Sequence, residues 1–269
     1  MPSSQVRPTA WRDDPVFSNF SIKNMQMNFW QKKIKILELD WTLAKYSLLV
    51  AIGSIFVRNK RLFAVRLIHA WARAMLRVLR VKYKVFNPYA FEFRPGRPYI
   101  IMSNHASHFD IPLIYATFSG ETIGMIAKKE LFKIPLFGRC IRLSGGISID
   151  RENRYRALKD LQIAEKMMLA GVRFWIAPEG TRSLTGKMGG FKKGGFKIAL
   201  DVKAIIVPVT IIGSGRVLPP KTFDISMGEK VEIYIGKPID TANYEHQDLR
   251  KLMADTEDEI ASRFTFAGE

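Results

Sequence analysis

Short apolar runs punctuate the chain from its second third onward, at Tyr99–Met102, Thr122–Ala127, Gly146–Ile149, Val172–Ala177, Ala204–Ile212 and Lys230–Ile235. Each is strand-like in length and composition. Between them lie Asp110–Phe118, Asn153–Ala170 and Phe191–Val202, and Glu245–Phe264 closes the chain; these segments read as helices. Leu158, Leu161, Ala164 and Met168 mark one apolar face of the second. Parallel strands need a crossover, and a helix supplies it. Alternation of this kind therefore predicts an α/β fold with a largely parallel central sheet flanked by helices. Residues 85–269 carry the pattern as one domain, with no internal repeat.

The pattern differs upstream. Tyr46–Val57 is uncharged and largely apolar for twelve residues, bounded by Lys45 and Arg58. A helix needs about 20 apolar residues to cross the hydrocarbon core. Carrying the segment back to Trp41 gives seventeen and takes in Lys45, whose long stem can snorkel. In the next segment Arg66, Arg73, Arg77 and Arg80 fall within an arc about 60° wide on a helical wheel. Leu62, Phe63, Leu67, Trp71, Met75 and Leu79 occupy much of the remainder. Cations on one side with Trp, Phe and Leu elsewhere describe an interfacial helix. We expect a membrane-associated helical pair over 40–84, embedded in one leaflet rather than spanning the bilayer. The tail before it, 1–39, begins with about 25 polar, poorly ordered residues. The apolar segment starts too far from Met1 to be a signal peptide.

Charge sharpens this expectation. The formal net charge is +17, and residues 1–97 hold 18 Lys and Arg against 5 Asp and Glu. Nine basic residues and no acidic one lie between Arg58 and Lys84. Such a concentration calls for an anionic partner, either nucleic acid or an acidic membrane surface. The chain has no recognisable nucleic-acid motif and no aromatic stacking platform. An anionic membrane surface fits better, each arginine near it contributing on the order of 1 kcal/mol. The single cysteine, Cys140, excludes an internal disulfide and suits a reducing, cytoplasmic setting. Its apolar surroundings, Phe137–Leu143, mark it as a packed core thiol.

Candidate chemistry resides in two segments, Asn104-His105-Ala106-Ser107-His108-Phe109-Asp110 and Pro178-Glu179-Gly180-Thr181-Arg182-Ser183. An imidazole titrates near neutrality and can take a proton from an alcohol and return it. A carboxylate on the other ring nitrogen fixes the tautomer. Residues five apart lie roughly 140° apart on a helix, so such a pair can meet only where a turn runs into a helix N-terminus. Pro112, placed for a first helical turn, supports that geometry, and Asp110 could equally cap the helix. His108 lies closer to Asp110 than His105 does, and chemistry alone does not choose between them. In the second segment, Gly180 allows close backbone approach and Arg182 can grip phosphate with two parallel hydrogen bonds. Both segments follow strand-like runs, and ligands of α/β sheets bind at strand ends.

The chain resembles the glycerolipid acyltransferase family, in particular its bacterial 1-acyl-glycerol-3-phosphate acyltransferases. Asn104-His105 to Asp110 matches the first of four ordered blocks. Phe137-Gly138-Arg139 with Ser148-Ile149-Asp150-Arg151 matches the second, Glu179–Ser183 followed by Phe191-Lys192-Lys193-Gly194 the third, and Ile206-Val207-Pro208-Val209 the fourth. The resemblance covers about residues 85 to 240 and departs at Ala177, where the family usually places an aromatic residue.

The resemblance implies His105 as base and Asp110 as its orienting partner. It implies acyl transfer from acyl-CoA or acyl-acyl-carrier protein to the sn-2 hydroxyl of lysophosphatidic acid, at the cytoplasmic face of the cell membrane. Glycerol-3-phosphate or another lysophospholipid is the alternative acceptor. Arg182, Arg151 and Lys128 are the expected phosphate ligands. Glu179, Gly180 and Thr181 complete the expected substrate site, with Glu179 holding Arg182 or a glycerol hydroxyl. Lys192 and Lys193 either meet the carrier's phosphates or stand solvated at a helix start. No metal or cofactor is expected: His69, His105, His108 and His246 show no pattern of zinc ligands.

Overall fold

A computed structural model of the chain describes residues 27–127, 129–148 and 154–264. The first element, α1 (Phe29–Phe56), is capped by Asn28, whose side chain accepts the Gln31 N–H while Gln31 bonds back to the Asn28 N–H. Helix α2 (Lys60–Val78) follows after a turn capped by Asn59. The helical pair thus begins at Phe29, inside the stretch expected to be tail. Lys32, Lys33 and Lys35 disguise the start, because their charges interrupt an apolar spacing that resumes on both sides. Residues before 27 lie outside the described part of the chain.

Helix α1 is long and apolar enough to cross a membrane. Its two faces are sharply different. Leu39, Ser47, Val50, Ala51 and Ser54 are buried against the rest of the protein, whereas Trp30, Ile34, Leu37, Trp41, Leu48, Ile52 and Ile55 form an exposed apolar stripe. The α2 helix turns Ala64, Val65, His69, Ala72 and Leu76 inward and leaves Arg66, Arg73 and Arg77 exposed. His69 anchors α2 to the body: its two ring nitrogens lie 2.8 Å from the Tyr115 and Glu121 carbonyl oxygens.

The remaining elements run in the order β1 (Lys82–Phe86), β2 (Tyr99–Ser103), α3 (Asp110–Thr117), β3 (Ile123–Ala127), α4 (Phe137–Leu143), β4 (Ile147–Ser148), α5 (Arg154–Leu169), β5 (Arg173–Ile176), α6 (Lys193–Asp201), β6 (Ile205–Ile212), α7 (Ser214–Val217), β7 (Lys230–Ile235), β8 (Ile239–Asp240) and α8 (Leu249–Ala261). Among the described residues the strands form one sheet in the order β1-β7-β6-β2-β5-β3-β4, with β8 also on β6. Pairings are parallel except those of β7 and β8 with β6. The outer edge of β6 is shared: β8 takes Ile205 and Ile206, and β7 takes Val209 to Ile212. Pro208, which has no N–H to give, sits at the changeover.

Strand β2 is central and buried along its whole length, which a sheet covered on both faces requires. Successive side chains point to opposite faces. Tyr99 and Ile101 join α2 and α3 in one core; Ile100 and Met102 join α5, α6 and α8 in the other. The β2 and β5 strands therefore end side by side, and their following loops build the site.

Candidate active site

The chain leaves β2 at Ser103, turns through residues 104–109 and enters α3 at Asp110. The turn brings His105 and Asp110 together. His105 Nδ1 lies 2.7 Å from Asp110 Oδ2, which also accepts the N–H groups of Ala106 at 2.8 Å and Ser107 at 2.9 Å. An ionised carboxylate only accepts, so Nδ1 carries the hydrogen and Nε2 presents a lone pair. Asp110 is completely buried. It does not cap α3: the cap position is Phe109, with no side-chain capping bond, and the carboxylate reaches back to order the turn instead. His108 makes no such hydrogen bond to Asp110, and much of its surface is exposed.

Three side chains hold the turn in register. Asn104 is buried, and its amide donates to the Ile211 carbonyl at 2.8 Å and accepts the Ile211 N–H at 2.7 Å. Ser103 Oγ accepts the Trp175 indole N–H at 2.9 Å. The Trp175 ring meets the His105 ring edge-on, centroids 5.9 Å apart and planes at 85°. Ser107 Oγ donates to the Leu218 carbonyl at 2.9 Å. None of these roles was assigned from sequence. The available signal was Asn104 itself, a polar residue closing an apolar strand, which must find partners when buried.

The third block is laced to the first. Glu179 is 5% exposed; one carboxylate oxygen accepts the His105 N–H at 2.8 Å and the other accepts the Gly189 N–H at 2.7 Å. The Ser183 N–H donates to the His105 carbonyl at 2.8 Å. Glu179 had been expected to hold Arg182 or a substrate hydroxyl. Each of its oxygens instead accepts a main-chain N–H, because the loop buries the carboxylate where an unpaired charge would be costly. Burial pushes the Glu179 carboxyl up, against the two backbone bonds that lower it.

Gly180 sits at φ +74°, a left-handed conformation that a side chain would strain. Arg182 is half-buried and Thr181 exposed beside it. The His108 pKa is lowered, first by the protein packed against part of its ring and then by the positive charges of Arg182 and His105; Asp110 opposes the shift. Arg182 therefore stands within electrostatic reach of the His105 turn. Lys128 and Arg151 lie outside the described residues. Among the described residues, no group of three or more His, Cys, Asp or Glu is placed to hold a metal ion.

An apolar cavity of about 300 Å³ opens beside this turn. His108 and Phe109 line one end, and its walls come from α1 (Leu39, Leu43), α2 (Ile68, Met75) and α4 (Ile141). Cys140 also lines it. The thiol lies 3.5 Å from the Ser47 carbonyl, and burial pushes its pKa up, which keeps it protonated and unsuited to attack.

A base with a buried carboxylate, a nearby guanidinium and an apolar chamber suit hydroxyl chemistry on an anionic lipid. Residues 87–212 match the family model described as Acyltransferase. A probable 1-acyl-sn-glycerol-3-phosphate acyltransferase of Mycoplasma pneumoniae is 30% identical over 195 residues, covering 68% of this chain and 71% of that protein. The chain belongs to the acyltransferase family. An algal member, a 1-acyl-sn-glycerol-3-phosphate acyltransferase of Chlamydomonas reinhardtii, is 37% identical over 126 residues, 46% of this chain and 37% of that protein. Chloroplast relatives from Arabidopsis thaliana and Brassica napus are also longer, and the chain spans 39% and 41% of their lengths. The crystal structure of the 1-acyl-sn-glycerophosphate acyltransferase of Thermotoga maritima superposes with a TM-score of 0.69 at 27% identity, covering 88% of this chain and 98% of that chain. The α/β fold with its N-terminal helical pair is thus the fold of that enzyme.

Proposed function

We propose that this acyltransferase moves an acyl group from acyl-CoA or acyl-acyl-carrier protein to the sn-2 hydroxyl of lysophosphatidic acid, forming phosphatidic acid. The observation that carries the reading is the His105–Asp110 pair, joined at 2.7 Å, in a turn whose His108 and Phe109 line an apolar chamber and whose His108 feels the charge of Arg182. The names of the relatives support the acceptor.

His105 Nε2 takes the proton of the acceptor hydroxyl as the oxygen attacks the thioester carbonyl carbon. Asp110 stabilises the imidazolium that results. The tetrahedral intermediate collapses, the C–S bond breaks, and His105 returns the proton to the departing thiolate. The acceptor alcohol is the nucleophile, so the enzyme needs none of its own. Arg182 meets the acceptor phosphate by charge-assisted hydrogen bonds, with Arg151 and Lys128 as further ligands. Gly180 and Thr181 border the substrate, and the chamber between the helical pair and the domain receives an acyl chain.

The reaction takes place at an anionic membrane surface, on the cytoplasmic face of the cell membrane, and nucleic acid is not a partner. Helix α1 lies in one leaflet. Lys32 in its first turn pairs with Asp224, and Ser54 near its end lies 3.4 Å from Arg139 Nη2. Both ends of a helix about 42 Å long therefore touch the same domain, which a perpendicular crossing would carry into hydrocarbon. The exposed stripe from Trp30 to Ile55 faces lipid tails, and the arginines of α2 face headgroups.

Purified protein given labelled acyl-CoA and a panel of acceptors tests the reading. Phosphatidic acid formed preferentially from lysophosphatidic acid is the expected result; product from glycerol-3-phosphate alone would overturn the acceptor assignment.

A further inference from the structure

Lys192 is exposed by sequence position and by surface area, immediately before α6. Part of its side chain nevertheless lies against the neighbouring loop. The main chain is fixed first: the Lys192 N–H donates to the Pro178 carbonyl at 2.9 Å, pinning the residue to the loop that follows β5. The side chain then lies across Gly180. A β-carbon placed on Gly180 would stand 3.0 Å from Lys192 Cδ and 2.8 Å from its Nζ. A β-carbon there would push the end of the Lys192 side chain aside, and the φ of +74° favours glycine at the position.

The ammonium thereby lies against Gly180, which precedes Arg182 by two residues in the chain. The carboxylate of Glu179, which adjoins Gly180 in the chain, accepts the N–H groups of His105 and Gly189 on its two oxygens. Two positive groups that converge on one anion repel each other until a doubly charged ligand relieves that repulsion. A phosphate monoester near neutral pH carries between one and a half and two negative charges, with three acceptor oxygens.

From this arrangement we infer that Lys192 and Arg182 form a two-cation grip, built across Gly180, for a phosphate monoester of the bound substrates. The inference rests on the acyl-transfer reading above and adds a specificity-determining residue to it. Two monoesters are available: that of a lysophosphatidic acid acceptor and the 3′-phosphate of a CoA donor. The three atoms nearest a β-carbon on Gly180 all belong to Lys192, none to Lys193, the first residue of α6.

The test compares the full-length wild type with Lys192→Gln and Lys192→Arg in mixed micelles, with two acceptors and two donors. Lysophosphatidic acid is set against the monoacylglycerol of the same chain, and acyl-CoA against acyl-dephospho-CoA. With the natural pair, Lys192→Gln raises one substrate's KM about tenfold, the scale of a lost charge-assisted hydrogen bond. Lys192→Arg recovers most of the loss, and kcat stays within about twofold because the reacting atoms are untouched. Disappearance of the penalty with monoacylglycerol assigns the grip to the acceptor; disappearance with acyl-dephospho-CoA assigns it to the donor. A penalty that persists when neither substrate carries a monoester, or no penalty on the natural pair, overturns the inference. Wild-type turnover of lysophosphatidic acid in the same series tests the underlying reading separately. If that turnover is absent, the comparison is run with whichever phosphorylated acceptor is consumed.

Discussion

The Glu179 carboxylate receives the His105 N–H at 2.8 Å, although 74 residues separate them in the chain. The loop that carries Arg182 therefore also sets the backbone position of the histidine. A displacement of one is transmitted to the other through two bonds, this one and the Ser183 N–H to His105 carbonyl contact at 2.8 Å.

Replacing Glu179 by alanine leaves the His105 and Gly189 N–H groups without their acceptors. A buried donor left unsatisfied costs about 1–3 kcal/mol, so Glu179→Ala lowers the denaturation midpoint, read by urea unfolding. Turnover falls as well, with lysophosphatidic acid KM less affected than kcat, because the histidine rather than the phosphate site is displaced. Glutamate at this position acting as a substrate ligand would give the opposite split.

Arg182 and His108 are coupled through space. An imidazole whose pKa falls below 6.5 on folding is already neutral where the unfolded chain still holds its proton. Its contribution to stability is full above 6.5 and is lost as pH falls through the lowered value. NMR titration of the ring places the His108 midpoint below 6.5 in the wild type. Arg182→Gln raises that midpoint by removing a positive neighbour, and Asp110→Asn lowers it further by removing the opposing negative charge. A midpoint unmoved by Arg182→Gln would place the guanidinium away from the turn.

How much of this was legible beforehand varies by element. The six strand-like runs and four helical segments correspond to β2 to β7 and to α3, α5, α6 and α8, because buried central strands are apolar throughout and helices repeat at their own period. Strand β1 was missed. Lys82-Tyr83-Lys84-Val85-Phe86 lies at the sheet's edge, half-buried at every position, so its charges mask the strand pattern. The short β8 and α4 carry too few residues to show a period. In the site, the His105–Asp110 contact was legible because both partners are side chains in one motif. The work of Glu179 and Asn104 was not, since their partners are main-chain groups of distant residues, and any residue supplies those. The chamber was equally hidden, being assembled from helices α1 to α4 and the loop near Phe223.

Trp41 and Ile52, exposed at 70% and 50%, lie on the outward stripe of α1. Burying such a side chain in lipid contributes about 1.5–3 kcal/mol. Trp41→Glu with Ile52→Glu therefore weakens sedimentation with anionic vesicles by at least an order of magnitude on that scale. In the wild type, brominated lipid quenches Trp30 and Trp41. Unaltered sedimentation of the double variant would mean that lipid contacts the protein elsewhere.

The most direct test of the central claim is the single-turnover rate of acyl transfer to lysophosphatidic acid in folded His105→Ala, with His108→Ala as the matched control. General base catalysis is worth about 10²–10⁴-fold. A loss of at least that size is predicted for His105→Ala, with His108→Ala close to wild type. A wild-type rate from His105→Ala would contradict the account.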